Sequence, residues 1–155
     1  MGTRHLICIY HNGRFLVPQY GHPDGHPDGA GLAVLRFLTP ANIKLLREII
    51  HLVRPPQPYD GGDFDSRGTA ILREIAYAEG TVEHVCMLDF ARDSLMCEWA
   101  YIVDLDAGAL EVYRGGSDLR NSRAQAPCCS DGFAGPGRFA GVGVSQQELQ
   151  GIFFF

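Results

Sequence analysis

The dipeptide Asn12-Gly13, which separates two apolar-rich runs near the start of the chain, is the feature that most restricts the fold. The runs are 3–10 (TRHLICIY) and 14–19 (RFLVPQ). A two-residue hairpin turn requires positive φ at both central positions, and Asn followed by Gly adopts it at low cost. The segment therefore predicts an antiparallel hairpin. Both faces of the first run are apolar, which predicts a central strand, whereas Pro18 indicates an edge or the end of pairing.

A second hairpin is predicted further along the chain. Residues 97–105 (CEWAYIVDL) have the β-branched and aromatic content of a strand, with Trp99 and Tyr101 on one face by the two-residue period. The turn is predicted at 106–108 (DAG) and the returning strand at 110–113 (LEVY).

Helices are predicted between the two hairpins. Thr39 is a suitable N-cap, and Pro40 fits the first position of the helix that follows. The predicted helices are 31–38, 40–53 and 66–79, the last capped by Asp65 or Ser66, whereas 81–90 fits either a strand or a helix. These elements predict an α+β fold in which antiparallel hairpins form a sheet packed with helices, preferably as an αββα sandwich.

The chain of 155 residues is long enough for one substantial core, which we place in a single α+β domain at 1–120. The stretch 121–155 differs from it because it is rich in Gly, Ser, Ala and Pro and lacks periodicity. We expect that tail to be poorly ordered, with three terminal phenylalanines that are costly to expose.

Charge and motifs restrict the possible partners. A formal net charge of −5 disfavours nucleic acid, and neither a membrane-spanning run nor a signal peptide is present, so a soluble cytoplasmic protein is expected. The five cysteines show no CxxC or zinc-type spacing, which predicts no structural metal. No cofactor-binding motif is present either.

The segment 19–31 (QYGHPDGHPDGAG), called the glycine loop below, is the candidate binding site. Shaped loops on rigid scaffolds often carry function. Its tandem His-Pro-Asp-Gly repeat predicts two consecutive turns, which we favour over an anion site and, more strongly, over a metal site. The loop residues assigned to binding are Tyr20, Gly21, Asp24, Gly25, Asp28, Gly29 and Gly31.

The N-terminal run MGTRHLI, the Asn-Gly hairpin and the loop pattern YGxxDGxPxGxG resemble a family of small uncharacterised microbial proteins, many of them fungal. The strands EWAYIVDLD and LEVY are similar to that family's second hairpin. Pro23, His26 and Asp28 depart from the family pattern, which usually has an aromatic residue, Tyr and Glu there. The resemblance implies relatives but no activity.

The predicted architecture also resembles that of N-terminal nucleophile hydrolases, which open with a strand whose first residue becomes the nucleophile. That resemblance implies a catalytic role for Thr3, although Gly2 precedes it. Arg4 is the second catalytic candidate, as a buried cation paired with Asp24, Glu98 or Asp104 or as a ligand for a substrate anion. Asp24 is the third, and His5 is either a general base or a satisfied core residue.

Two functions follow as hypotheses. The first is a small amide-bond hydrolase or transferase whose site lies where the N-terminal strand meets the glycine loop. The alternative is a non-catalytic binding module that takes a small anionic ligand or a protein partner.

Overall fold

Along the chain three strands come first, helices follow, and three more strands come last. The computed structural model describes residues 2–22, 24–54, 66–83, 87–93, 95–115 and 149–155. The strands are β1 (His5–His11), β2 (Arg14–Phe15), β3 (Gln19–Gly21), β4 (Trp99–Asp104), β5 (Ala109–Arg114) and β6 (Leu149–Phe154). The α-helices are α1 (Leu32–Phe37), α2 (Pro40–Ile49) and α3 (Ala70–Ala76). A π-helical turn (Pro27–Gly31) and two 3₁₀ helices (Ile50–Leu52 and Leu88–Arg92) complete an α+β fold.

One mixed six-stranded sheet organises these elements, in the order β2-β1-β4-β5-β6, with β3 also paired to β1. β1 is antiparallel to β2 and β3 and parallel to β4, with His5 opposite Trp99 and Tyr10 opposite Asp104. The parallel pair joins the two predicted hairpins side by side. β1 is therefore central, as its apolar faces predict, and Pro18 falls in the break between β2 and β3.

The two faces of the sheet have different covers. Helices α1, α2 and α3 pack on the face that carries Ile7 and Tyr101. A smaller cluster, which includes Leu6 and Cys8, lies under the 3₁₀ helix Leu88–Arg92 on the other face. The part of the chain that the structure describes contains this single sheet. The expected αββα sandwich, which needs two stacked sheets, is therefore not what these residues form.

Helices α1 and α2 begin and end near the predicted positions. Thr39 Oγ1 accepts a hydrogen bond from the amide of Asn42 at 3.3 Å, which confirms the predicted cap of α2, and the helix continues as 3₁₀ to Leu52. Helix α3 begins only at Ala70, after Thr69, so the prediction of Ser66 as its cap is wrong, and Asp65 lies outside the described residues. None of the described helices is long and apolar enough to cross a membrane.

The turns of the two hairpins are locked together at one end of the sheet. Asn12 and Gly13 have φ of 51° and 71°, as the hairpin prediction requires. The Asp106 carboxylate accepts hydrogen bonds from both of their amides, at 2.9 and 3.0 Å, and lies 2.9 Å from His11 Nδ1. Asp104 Oδ1 accepts from the amides of Asp106 and Ala107. Each carboxylate thus holds backbone donors that a turn would otherwise leave to water.

Strand β6 occupies the outer edge of the sheet, within the stretch 121–155 for which poor order was expected. It pairs antiparallel with β5, from Ala109 opposite Phe154 to Tyr113 opposite Leu149. The end of the chain therefore belongs to the same sheet as the rest, while 121–148 lies outside the described residues. Phe153 and Phe154 remain 47% and 79% exposed, so pairing of the backbone does not bury these rings.

Candidate functional site at the glycine loop

Backbone hydrogen bonds hold the glycine loop in one shape. The amide of Gly25 donates to the Thr3 carbonyl at 2.9 Å, which ties the loop to the segment that enters β1. The amide of Ala30 donates to the Asp24 carbonyl, and the amides of Gly29 and Gly31 donate to the His26 carbonyl. Four amide donors of the loop are therefore engaged, three of them with carbonyls of the loop itself and one with Thr3. They are not available to cradle a bound anion, which needs free amides.

The two His-Pro-Asp-Gly copies adopt different structures. In the first copy Asp24 takes a φ of 64°, a left-handed conformation that short polar side chains tolerate best. In the second copy Pro27 begins the π-helical turn, with Asp28 in its first turn. Proline suits a helix start because its fixed φ is helical and its missing N–H would have no partner there. The second copy keeps the predicted turn, which the Gly29 amide closes on the His26 carbonyl at 2.9 Å, and this turn continues into the π-helical turn.

The His5 side chain explains three of the glycines. A Cβ at Gly21, which lies opposite His5 in the β1–β3 register, would overlap the imidazole ring. A Cβ at Gly25 would lie 2.7 Å from Nδ1, and one at Gly68 would lie 3.0 Å from Nε2. The ring is thus enclosed by backbone on two sides, and a larger residue at any of these positions would displace it.

His5 is buried but its ring nitrogens are not satisfied. The residue is 3% exposed, and neither ring nitrogen completes a hydrogen bond with a described residue. Burial lowers the pKa of His5 from 6.5 to about 4. The Thr3 carbonyl and the charge of Asp24 oppose this shift because they favour the protonated ring, although neither completes a hydrogen bond with it. The imidazole is therefore neutral at pH 7. The burial of His5 agrees with the interpretation of this residue as part of the core, but a buried polar group without hydrogen bonds needs an explanation.

Tyr101 and Asp24 explain the other two loop glycines. The Tyr101 hydroxyl donates to the Gly25 carbonyl at 2.7 Å, and its ring meets His5 edge-on with centroids 6.2 Å apart. A Cβ at Gly31 would lie 3.1 Å from the Tyr101 ring. The Asp24 carboxylate rests against Gly29, where a Cβ would overlap it. The glycines of the loop thus admit neighbouring side chains rather than a ligand.

The three predicted catalytic residues do not share one face. Thr3 meets the loop through its carbonyl, and the charge of Asp24 acts on His5 from the same side. Successive strand residues point to opposite faces, so Arg4 lies across the sheet from His5. There Arg4 Nη1 lies 3.1 Å from Met96 Sδ. The side chain is only half-buried, and the expected ion pair with Asp24, Glu98 or Asp104 does not form.

The side chains that the loop presents to solvent are mostly polar. His22, Asp24, His26 and Asp28 are exposed, and we call these four residues the loop rim. His26 Nδ1 lies 2.7 Å from Asp28 Oδ1, and its ring meets the half-buried Trp99 edge-on at 5.5 Å. Because the rim carries two carboxylates, like-charge repulsion disfavours an anionic ligand there.

The described residues give little evidence for a reactive thiol or a metal site. Cys8 and Cys97 are buried cysteines that are not in a disulfide, and burial raises the pKa of Cys97 to about 12, so Cys97 is not a nucleophile at neutral pH. No group of three metal-binding side chains is found in the described ranges. Cys86, Cys128 and Cys129 lie outside those ranges.

Sequence reasoning missed the partners that define the loop. Tyr101 and Gly68 are far from the loop in sequence, and nothing local marks them. The signal that was present is the number of glycines: so many in one connection indicate close packing against something large. That group is His5, which the sequence leaves open as a general base or a satisfied core residue.

Comparisons with family models, with curated proteins and with solved structures found no match to this chain. The function is therefore argued from the geometry alone.

Proposed function

We propose that the protein is a non-catalytic binding module that recognises a protein partner through the loop rim. The observation that supports this proposal is a contrast between the backbone and the side chains of the glycine loop. Its backbone is fixed by internal hydrogen bonds and close packing, while His22, Asp24, His26 and Asp28 remain exposed. A rigid loop that displays polar side chains loses little conformational entropy on binding.

The charge of the rim indicates the kind of partner. Asp24 and Asp28 give it negative potential, in a chain whose formal net charge is −5. A basic surface on the partner would pair with these carboxylates, which gives register and a faster encounter. The buried thiols Cys8 and Cys97 fit a reducing compartment such as the cytoplasm.

Site-specific photo-crosslinking tests this proposal. A photoreactive amino acid is placed at position 22 or 26, with the exposed His51 as matched control position. We expect one partner to crosslink from positions 22 and 26 and not from 51. The purified partner should then bind an Asp24→Asn/Asp28→Asn variant at least tenfold more weakly. Equal crosslinking at all three positions, or unchanged affinity of the double variant, would refute the proposal.

We also propose a second function, a small amide-bond hydrolase or transferase, which the unsatisfied His5 favours. A neutral imidazole beside Thr3 and Asp24 is the type of group that accepts a proton from a hydroxyl or a water. The engaged loop amides count against this function, because acyl transfer needs free donors for the oxyanion.

A substrate screen separates the two functions. Fluorogenic amides are incubated with the wild-type protein, Thr3→Ala and the conservative control Thr3→Ser. Turnover that is lost in the alanine variant and kept in the serine variant would support the enzyme. Turnover that is equal in all three, or absent, would remove Thr3 from the chemistry.

A further inference from the structure

We propose that strand β6, at the outer edge of the sheet, is the surface through which two copies of this chain form a dimer. The two sheets join edge to edge into one continuous sheet, with the two β6 strands antiparallel. In the described part of the chain β6 pairs only with β5, so no described strand lies on its other side. Such an edge offers a row of backbone donors and acceptors to another chain.

The pairing with β5 determines which backbone groups of β6 point outward. The Phe155 amide donates to the Gly108 carbonyl at 2.8 Å, so the backbone groups of Phe155 face β5. Residues that face the neighbouring strand alternate with residues that face away from it along an antiparallel pair. The amides and carbonyls of Ile152 and Phe154 therefore point away from β5. No hydrogen bond with a described residue engages these groups.

The two edges of the sheet differ in their protection. At the edge formed by β2 and β3, the amides of Gly68 and Met87 donate to the carbonyls of Tyr20 and Pro18, so other segments cover part of that edge. At the β6 edge, residues 151–155 (GIFFF) include neither a charged residue nor a proline, which natural edge strands use to prevent pairing. One open edge in each chain gives a closed dimer rather than a fibre.

The regular part of β6 determines the register of the dimer. The β5–β6 pairing is irregular just before Gly151, so the regular segment runs from Gly151 to the end of the chain. Phe153 lies at the centre of this segment, and a two-fold axis there places Phe153 opposite its own copy. Ile152 then lies opposite Phe154 of the second copy and exchanges two backbone hydrogen bonds with it.

The side chains at these positions suit this register. Ile152 and Phe154 are 44% and 79% exposed and point to one face of the sheet, whereas Phe153 points to the other face. The register therefore forms an aromatic–aromatic pair on one face and two aromatic–β-branched pairs on the other. Both kinds of pair stabilise neighbouring strands.

The exposed apolar area indicates how strongly the two copies associate. A fully buried aromatic side chain removes about 150–250 Å² from water. The exposed parts of Ile152 and of the three terminal phenylalanines thus come to roughly 400 Å² in each chain, or about 800 Å² in the pair. Stable complexes bury about 1,200–2,000 Å², so we expect a reversible dimer with a Kd in the micromolar range.

Charge and symmetry favour a second copy over a strand of another protein. The segment 151–155 carries no charged side chain that would select a partner of opposite charge. Each outward donor of β6 has its acceptor on an identical strand. In the proposed register, Phe155 and its copy lie about 13 Å apart along the strands, beyond the Debye length of about 8 Å, so salt screens repulsion between the chain ends.

Sedimentation velocity on the whole protein, from about 1 µM to about 1 mM, tests the dimer. We expect a reversible equilibrium between monomer and dimer without larger species. Phe154→Lys should weaken dimerisation at least tenfold, because it adds a charge to the edge at a side chain that is exposed in the monomer. The control Leu95→Lys, at an apolar residue that is 88% exposed in the turn before β4, should change dimerisation less than twofold.

Three results of this experiment would overturn the proposal. A monomer at every concentration would show that the edge does not pair with itself. A dimer that Phe154→Lys leaves unchanged would place the interface elsewhere. Equal weakening by Leu95→Lys would show unspecific association of apolar residues.

Disulfide trapping tests the register through a gain of signal that loss of folding cannot mimic. Phe153→Cys places two thiols directly opposite each other across the axis, where Cβ atoms lie about 4.5–5.5 Å apart. Phe154→Cys is the matched control, because position 154 and its copy are offset by two residues along the strands. Oxidation should link the first variant at least tenfold faster, with the wild-type protein as background for the native cysteines. Equal trapping in both variants, or none in either, would overturn the register.

Discussion

The two ends of strand β1 each carry a histidine, and these histidines have opposite environments. His11 is partly exposed and bonded to Asp106, in a cluster where the nearby turn amides have acceptors. His5 is buried among glycines and has no completed hydrogen bond to a described residue. The histidine at one end of β1 thus belongs to a turn whose polar groups are hydrogen-bonded. The ring nitrogens of the histidine at the other end complete no hydrogen bond with a described residue. The difference indicates that the His11 end serves stability and the His5 end carries a cost that function can explain.

The largest effect is expected where a side chain is added beside His5. Gly21→Ala should reduce the free energy of unfolding by about 3 kcal/mol or more, because its Cβ would overlap the imidazole. Urea denaturation measures this, with Gly80→Ala as control, since nothing lies within 4 Å of a Cβ there. His5→Ala should partly rescue Gly21→Ala by removing the ring. Full additivity of the two changes would show that ring and glycine are not coupled.

The pH dependence of stability should also distinguish the His5 end of β1 from the His11 end. The pKa of His5 is about 4 in the folded protein and 6.5 when unfolded, so the unfolded state binds more protons between these values. Stability should therefore fall as pH drops through this window, by roughly 3 kcal/mol in total. Urea denaturation of wild type and His5→Gln from pH 7 to pH 4 measures the difference. Parallel pH profiles would contradict the assignment.

A smaller effect is expected at the His11 end. Burial alone would raise the pKa of Asp106, but the amides of Gly13 and Asn12 and the ring of His11 outweigh it and lower that pKa. Its contribution to stability is complete above its unfolded value of 3.8 and is lost as pH falls through the lower folded value. Asp106→Asn should cost about 2 kcal/mol at pH 7.

Hydrogen exchange at pH 5 compares the ends directly within one sample. The amides of Gly25 and Ala30 should lose protection first, while those of Asn12 and Gly13 stay protected until Asp106 is replaced. Glu79→Gln, an exposed change, is the control. Simultaneous loss at both ends would show that the sheet opens as one unit.

The smallest effect tests the hydroxyl that holds the loop. Tyr101→Phe removes the buried bond to the Gly25 carbonyl and should cost about 1 kcal/mol. Tyr77→Phe, which removes an exposed bond to Asn42, should cost less. Thermal denaturation of both variants measures the ranking, and the reverse order would contradict the role given to Tyr101.

The features that sequence predicts well depend on neighbouring residues. The Asn12-Gly13 turn, the second hairpin and the Thr39 cap each follow from local conformational preference, and all three are present. The parallel pairing of β1 with β4 and the position of β6 depend on partners far along the chain. For these elements no local pattern selects one partner over another.

At the candidate site, too, the sequence predicts the features that depend on neighbouring residues and not those that depend on distant partners. The position of the glycine loop follows from its composition, whereas the reason for its glycines does not. The ring of His5 meets Gly21 and Gly68 only after β1, β3 and the start of α3 have packed. The partner of Arg4 also depends on long-range packing. Strand alternation places Arg4 across the sheet from the loop, and there it contacts Met96 rather than one of the expected carboxylates.

The pairing of β1 with β4 has a consequence for biosynthesis. His5 lies opposite Trp99, so the edge of β1 that pairs with β4 waits for a partner that is synthesised more than ninety residues later. At about 5–20 residues per second, that delay is on the order of ten seconds. During it β1 can pair only with β2 and β3. Its edge toward β4 stays open, and a chaperone that binds nascent chains would find its target there. The hydrogen bond from the Tyr101 hydroxyl to the Gly25 carbonyl can form only after β4 has left the ribosome, so the candidate site is completed late in synthesis.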